Sequence, residues 1–315
     1  MRVGAFGDAS RVEALGLRPS VVYVDSRKLK AYREGVVPLI WVPLAASAEE
    51  GVVDAFGSRG LFAFGNSGCI SNPSVQKRVL GELRRLADLG YRVVLLDALR
   101  LPSPHDGLLF LSACFCEHSV SVVPQLEGLR EEVKHALAEP SPRALRDLLE
   151  KLARARAREV EALLGRIREE ARELGVELVA AVFPYPLSRY VGQDPRVLYR
   201  YLDEVHVMLY HRCSGPACLN HEAYSLYRTF LEIGLGERDA LRLLGSVLQV
   251  ERGDLARSLE TEGVPLEMLE VFMRVNGLIY RDKYVPIVWL DEDIAGKVSY
   301  YLEEYGRLDL FAPKG

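Results

Sequence analysis

Cysteine is sparse in this sequence: five in 315 residues, at Cys69, Cys114, Cys116, Cys213 and Cys218. An odd number at so low a density excludes the disulfide-stapled framework of a small secreted domain. An excess of one charge is also lacking. Forty basic and forty-four acidic residues leave a formal net charge of −4, so there is no electropositive field and nucleic acid is not an expected partner. Long apolar runs are missing too. No stretch reaches the ~18 apolar residues of a membrane-spanning helix, and MRVGAFGDASR at the start has no basic region leading into an apolar one, as a secretory leader would. The expectations are a cytoplasmic address and no membrane partner. No glycine fingerprint of a nucleotide loop occurs, and no cofactor is expected. No repeat, low-complexity tract or linker marks a second domain.

What is present is apolar and evenly spread. Hydrophobic residues make up 49% of the chain and charged residues 27%, enough to bury a large core. The length suits one (β/α)₈ barrel over residues 1–315, with a helical decoration around residues 105–175. Strand candidates are Arg2–Phe6, Val21–Asp25, Val37–Val42, Leu61–Phe64, Arg92–Asp97, Glu177–Phe183, Glu204–Tyr210, Leu243–Val250, and Gly277–Tyr280 or Val285–Leu290. Most are apolar on both faces, as in a parallel sheet covered by helices. They exceed the eight barrel places by one or two, with Arg2–Phe6 or the Val285 run as the peripheral one. Ser74–Leu89 carries a helical stripe of Val75, Val79, Leu80, Leu83 and Leu86, ending at Gly90. A second helix starts at Ser141 with Pro142 in its first turn and stops at Gly175. Unbroken, it would be about 50 Å long, and a break is expected around residues 153–158. Arginine-rich Arg/Glu pairing on the helices hints at a thermophile.

Chemistry-bearing residues gather at the ends of apolar runs, where a barrel places its catalytic groups. VVLLDALRLPSP ends a buried strand in Asp97, with Arg100 three residues on, either holding the carboxylate ionised or gripping a substrate hydroxyl. In DEVHVMLYHR, His206, Met208 and Tyr210 share the barrel-facing parity, and Tyr210 and His211 close the strand. A lone histidine in an apolar strand is more often a satisfied core residue, so His206 is the weaker of these. In LLGSVLQVERGD, Gln249 and Glu251 share a parity and reach toward the same mouth. Asp25 and Asp291, also at the ends of runs, are positional alternatives to Glu251. The polar loop FGNSGCISNPS adds Asn66, Ser67 and Asn72 to the rim.

Taken in order, Asn72-Pro73, Asp97 with Arg100 and Pro102, Cys114-Phe115-Cys116, Phe183-Pro184, Gly192-Gln193-Asp194, Met208-Tyr210-His211 and Gln249 resemble a family of TIM-barrel proteins. These are the glycoside hydrolases of the glycosyl-hydrolase-like superfamily, many of them bacterial or archaeal. The resemblance covers roughly residues 60–255, and the order of the pieces carries it rather than any one of them. It implies that Asp97 is the catalytic or substrate-binding carboxylate. Tyr91-Arg92-Val93 departs from the acidic-glycine approach to that strand in such relatives, which leaves open a site that binds without hydrolysing.

The expected function is therefore glycoside hydrolysis at the strands' carboxyl ends, with a carbohydrate or other small molecule as substrate. Asp97 is nucleophile or charge stabiliser and Glu251 general acid. Trp41, Tyr185 and Tyr210 are stacking platforms, and Arg100, Asn72, His206, His211 and Gln249 are further substrate contacts. Two alternatives stand beside it. One is a non-catalytic carbohydrate- or partner-binding barrel. The other is a metal-dependent hydrolase using Cys114, Cys116 and His118 together with His211, Cys213, Cys218 and His221. These spacings leave zinc, one or two disulfides, or free thiols open.

Overall fold

A computed structural model describes residues 1–250 and 263–313. Eight parallel strands close into a barrel. In chain order the strands of the molecule are β1 (Arg2–Gly7), β2 (Val21–Asp25), β3 (Val36–Trp41), the small pair β4 (Val52–Val53) and β5 (Arg59–Gly60), then β6 (Val93–Asp97), β7 (Glu177–Val182), β8 (Glu204–Leu209), β9 (Tyr284–Trp289) and β10 (Arg307–Ala312). Around the barrel they run β1-β10-β9-β8-β7-β6-β3-β2, while β4 and β5 form an antiparallel pair outside it. The expected (β/α)₈ architecture is what the chain adopts.

The alternation of side chains fills the barrel in layers. Register pairs Arg2 with Arg307, Gly4 with Asp309 and Phe6 with Phe311. It pairs Phe311 with Trp289, and Trp41 with Asp97. The floor is ionic: Glu204 accepts from Arg2 at 2.8 Å and from Arg307 at 2.6 Å. Above it His206 Nδ1 lies 2.5 Å from Asp309 Oδ2, and His206 Nε2 lies 3.1 Å from Glu204. Gly4 is required there, because a Cβ at that position would stand 2.0 Å from Asp309 Oδ1. The top layer is aromatic. Phe6 stacks on Tyr23 at 4.0 Å, and Trp289 stacks on Phe311 at 5.0 Å.

Four strand expectations change. Leu61–Phe64 lies in the β3–β6 connection, where Phe62 and Ser67 form only an isolated bridge. Leu243–Val250 belongs mainly to a helix, Glu237–Leu248, and Gly277–Tyr280 ends another, Leu266–Tyr280. Both are apolar runs too short for periodicity to separate strand from buried helix. Neither Arg2–Phe6 nor the Val285 run is peripheral, since β1 and β9 both stand in the barrel wall. The remaining place is taken by β10, which ends the chain's described part and had no candidate; its Asp309 and flanking charges break the apolar run.

The helix Pro142–Leu174 has the expected ends. Ser141 Oγ accepts from the Ala144 amide at 3.2 Å, and Gly175 stops it in the left-handed region at φ 65°. The expected break at residues 153–158 is absent. That stretch holds only good helix formers, and Arg156 within it is buried, donating to the carbonyls of Phe110, Ala113 and Tyr190. The other helix begins at Pro73, one residue before the expected start, with Asn72 as its cap.

Candidate active site at the mouth of the barrel

At the carboxyl ends of the strands the floor of ions gives way to a half-buried group: Trp41, Asp97, Trp289 and Phe311, with Tyr210 buried among them. Asp97 ends β6, and Trp41 is its register partner on β3. Among the described residues, the hydrogen bond Asp97 receives is from its neighbour, the Ala98 amide at 2.8 Å. Ala98 adopts φ 54°, a left-handed conformation costing a non-glycine residue about 1–2 kcal/mol, so the turn that presents Asp97 is held under strain. Burial pushes the Asp97 carboxyl up to about 6, against the opposing pull of the Ala98 amide and of Arg100.

Tyr210 closes the group on the β8 side. Its ring meets Trp289 at 5.8 Å and Phe311 at 5.2 Å. Burial, with the negative charges of Asp97 and Asp309, pushes its hydroxyl well above the ordinary phenol range. Trp41 donates Nε1–H to Ser67 Oγ at 3.0 Å and tilts against Phe64, which is 67% exposed. The result is a carboxyl of raised pKa beside the strand that carries Trp41, with Tyr210, Trp289 and Phe311 grouped on the other strands of the mouth.

Arg100 stands behind this group rather than in it. It is 3% exposed, donates to the Leu101 carbonyl, and packs over the rings of Phe62 and Phe183. Its guanidinium is 3.8 Å from Asp106. Asp106 in turn accepts from the Ser103 and Ala63 amides. Nearby Glu222 is buried, accepts from Ser103 Oγ and from the His105 and Ala217 amides, and is pushed up to about 7 by burial. Arg100 thus organises the loop after β6 and has no open face toward a ligand.

His211 and Asp291 meet at the ends of β8 and β9, with Nε2 3.0 Å from Oδ2. Burial lowers the His211 pKa despite Asp291. Asp291 also caps the following turn through the Ile294 amide. Ligand atoms of His211, Asp291 and Asp293 lie within 4.8 Å of one another, a set able to hold a divalent cation. The third strand-end carboxylate, Asp25, is committed elsewhere: the hydrogen bonds it accepts from the Arg27 side chain and amide hold it below the usual range.

The other sequence candidates are dispersed. His206 is fully buried in the barrel with both ring nitrogens engaged, which corrects its assignment as a substrate contact. Asn72 spends its side-chain oxygen on the Ser74 amide. Tyr185 accepts from Gln249 Nε2 at 3.3 Å and faces a cleft of about 750 Å³ lined by Arg154, Arg189, Asp194 and Ile279. Gln249 is the left-handed cap of a helix, at φ 55°, so the parity that coupled it to Glu251 does not apply. Glu251 lies outside the described residues. The pooled cysteine–histidine cluster does not form: Cys213 and Cys218 are joined in a disulfide, whereas Cys114 and Cys116 face Cys69. Trp289 and Phe311 were not among the candidates. Trp289 was legible as the last inward residue of the Val285 run, but Phe311 lies on the strand that was missed.

No family model matches the sequence, and no curated protein does. Among solved structures, the chain is similar to the PgaB (BpsB) glycoside hydrolase domain from Bordetella bronchiseptica. The two are 13% identical, with 99% of this chain and 93% of that one covered at a TM-score of 0.52. A β-galactosidase from the psychrophilic Marinomonas ef1 is 9% identical over 99% of this chain and 54% of its own, with a TM-score of 0.49. The spore cortex-lytic enzyme SleL from Bacillus megaterium QM B1551 is 10% identical over 92% and 50%, with a TM-score of 0.37. At these identities the likeness is one of fold: the chain is a TIM barrel.

Proposed function

We propose that this barrel is a glycoside hydrolase whose carbohydrate substrate lies across the mouth, with Asp97 as the carboxyl that handles the proton. The observation that carries this reading is the juxtaposition of Asp97 with Trp41 on adjacent strands. A sugar ring stacked on an indole would bring a glycosidic oxygen beside a carboxyl. With its pKa raised to about 6, Asp97 is suited to donate a proton to the departing oxygen, as a general acid works best near its operating pH. This exchanges the roles expected from sequence, in which Asp97 was nucleophile or charge stabiliser. The second carboxylate is then Glu251, with Asp291 beside His211 as the described alternative. Trp289, Phe311 and Tyr210 supply the opposing wall, where their faces exclude water and hold the ring.

The test is turnover by the purified chain on a panel of oligo- and polysaccharides, with products read by mass spectrometry. Asp97→Asn should cost about 10²–10⁴-fold in kcat, with Glu251→Gln and Asp291→Asn deciding the partner. Because the proton donor must be protonated, wild-type activity should fall as pH rises through about 6. A panel that yields no cleavage, with wild type and Asp97→Asn binding the same sugars equally, would favour the non-catalytic carbohydrate-binding barrel instead.

A further inference from the structure

Three cysteines that are far apart in sequence meet in the interior on the flank of the barrel. Cys69 Sγ is 3.5 Å from Cys116 Sγ and 3.7 Å from Cys114 Sγ, and all three sulfur atoms lie within 4.8 Å of one another. None is more than 5% exposed. A tetrahedral zinc–thiolate centre, with zinc–sulfur bonds of about 2.3 Å, sets its sulfurs about 3.8 Å apart. The three thiols already stand close to that spacing.

The surroundings are polar rather than apolar. Glu159, 2% exposed, comes from the long helix Pro142–Leu174. Its Oε2 accepts from Ser71 Oγ at 2.7 Å and Ser119 Oγ at 2.6 Å. Its Oε1 is buried and has no hydrogen-bond partner, while its charge is felt by Cys69, Cys114 and Cys116. A buried carboxylate oxygen without a partner is costly, and this carboxylate is joined to the thiols through Ser119 rather than standing within 4.8 Å of all three. Ser119 Oγ also lies 3.3 Å from Cys69 Sγ, and the Ser119 amide donates to Cys116 Sγ at 3.4 Å. Cys116 caps the short helix Glu117–Val122 through that bond, which fixes its sulfur facing Cys69. A divalent ion on three thiolates leaves one net negative charge and the Glu159 carboxylate adds a second; Arg156, fully buried within reach of Glu159 and Cys114, offsets one of the two.

From this geometry we propose that Cys69, Cys114 and Cys116 bind a thiophilic divalent cation of the zinc class, with Glu159 held against the cluster through Ser119. The site is buried and structural. It joins the β3–β6 connection through Cys69, the segment after β6 through Cys114 and Cys116, and the long helix through Glu159. Tightening these segments braces the loop whose Ser67 holds Trp41. It is separate from the His211–Asp291–Asp293 set and does not depend on glycoside hydrolysis.

Metal analysis of the full chain produced in zinc-supplemented medium should find about one zinc per chain. Chain produced in cobalt-supplemented medium should show thiolate-to-cobalt charge-transfer absorption and the visible bands of a tetrahedral ion. Cys116→Ser should remove that charge-transfer band, and His211→Ala should leave it unchanged. If Cys116→Ser does not fold, the spectrum of the wild-type protein and the His211→Ala control still decide the matter. Cobalt bound without charge-transfer absorption would place it on nitrogen and oxygen ligands and overturn the proposal. So would metal-free protein, whether alkylation after unfolding in chelator finds three thiols at Cys69, Cys114 and Cys116 or finds two of them joined in a disulfide.

Discussion

Replacing Asp97 by asparagine should stabilise the fold at neutral pH while abolishing the chemistry proposed for it. In the folded chain the carboxyl is pushed from 3.8 to about 6 by burial, so the structure prefers it neutral. For an acid whose folded pKa is raised, ionisation costs stability. The cost is absent below the unfolded value, grows as pH rises from about 4 to about 6, and is constant above that. A shift of about two units is about 3 kcal/mol at pH 7, an upper figure because the side chain retains some access to water. Asparagine keeps the shape and the acceptor for the Ala98 amide but never ionises. We therefore expect a gain of about 1–3 kcal/mol at pH 7, equivalent to roughly 2–5 °C in Tm for a chain of this size. The gain should shrink toward zero near pH 4. The assay is a pair of thermal melts for wild type and Asp97→Asn across that range, with turnover measured on the same preparations. A variant that melts lower than wild type by several degrees at every pH would show the carboxylate to be a structural partner and refute the reasoning.

Four further outcomes are expected. Asp309→Asn should cost about 3–5 kcal/mol in denaturant unfolding, as loss of one member of a buried ion pair does. In the wild type, burial disfavours the His206 cation, but Asp309 and Glu204 outweigh it and raise its pKa. That stabilisation is complete below about 6.5 and is lost as pH rises through the folded value. Glu204 is held at about 2, the bonds from His206 and Arg2 overcoming its burial, so its contribution is complete above about 4.5 and is lost as pH falls toward 2. Unfolding free energy of the wild type should be greatest between these limits, and a flat profile would show the network to be inert. Reductant should lower Tm by about 3 °C without changing turnover at moderate temperature, since the Cys213–Cys218 bridge spans five residues and contributes about 2 kcal/mol by loop entropy; an unchanged melt would show the bridge adds nothing. Trp41→Ala and Trp289→Ala should each weaken sugar affinity about threefold to tenfold, the range of an aromatic stacking contact, as read by calorimetric titration.

How far the sequence could be read depended on what each residue had to do. β2, β3, β6, β7 and β8 were legible because each is a mainly apolar run, interrupted in β8 by His206, with a polar or ring-bearing residue at its end or just beyond it. β10 was not, because Asp309 points into the barrel and its apolar neighbours alone do not make a run. The pairing that explains Asp309 is with His206, about a hundred residues away, and no local pattern encodes it. For the same reason His206 looked like a pocket residue. Parity correctly turned it inward, but whether an inward residue meets solvent or another side chain is decided by the opposite wall. Asp97 and Trp41 were both found from their positions at strand ends, yet their adjacency follows from β3 pairing directly with β6 around the intervening β4–β5 excursion. The cysteines show the same limit. Spacing drew attention to Cys114 and Cys116, but their partner is Cys69, brought in by the fold of a loop. In Leu243–Leu248, a helix surface packed on the core was as apolar as a strand.

The chain has two tryptophans, and both stand at the mouth, one on β3 and one on β9. Its tryptophan emission, excited at the red edge where tyrosine does not absorb, therefore originates from this end of the molecule. A ligand entering between them can be titrated by quenching or spectral shift with no label attached. The two lamps are also unequal in surroundings: Trp41 hydrogen-bonds Ser67 and leans on an exposed phenyl ring, whereas Trp289 lies flat on Phe311. Single replacements would thus separate the signal into the two walls of the opening. The same fact carries a warning for denaturation experiments. An emission-detected midpoint reports the loosening of the mouth, and only a circular dichroism curve that coincides with it establishes that the barrel has melted as a unit.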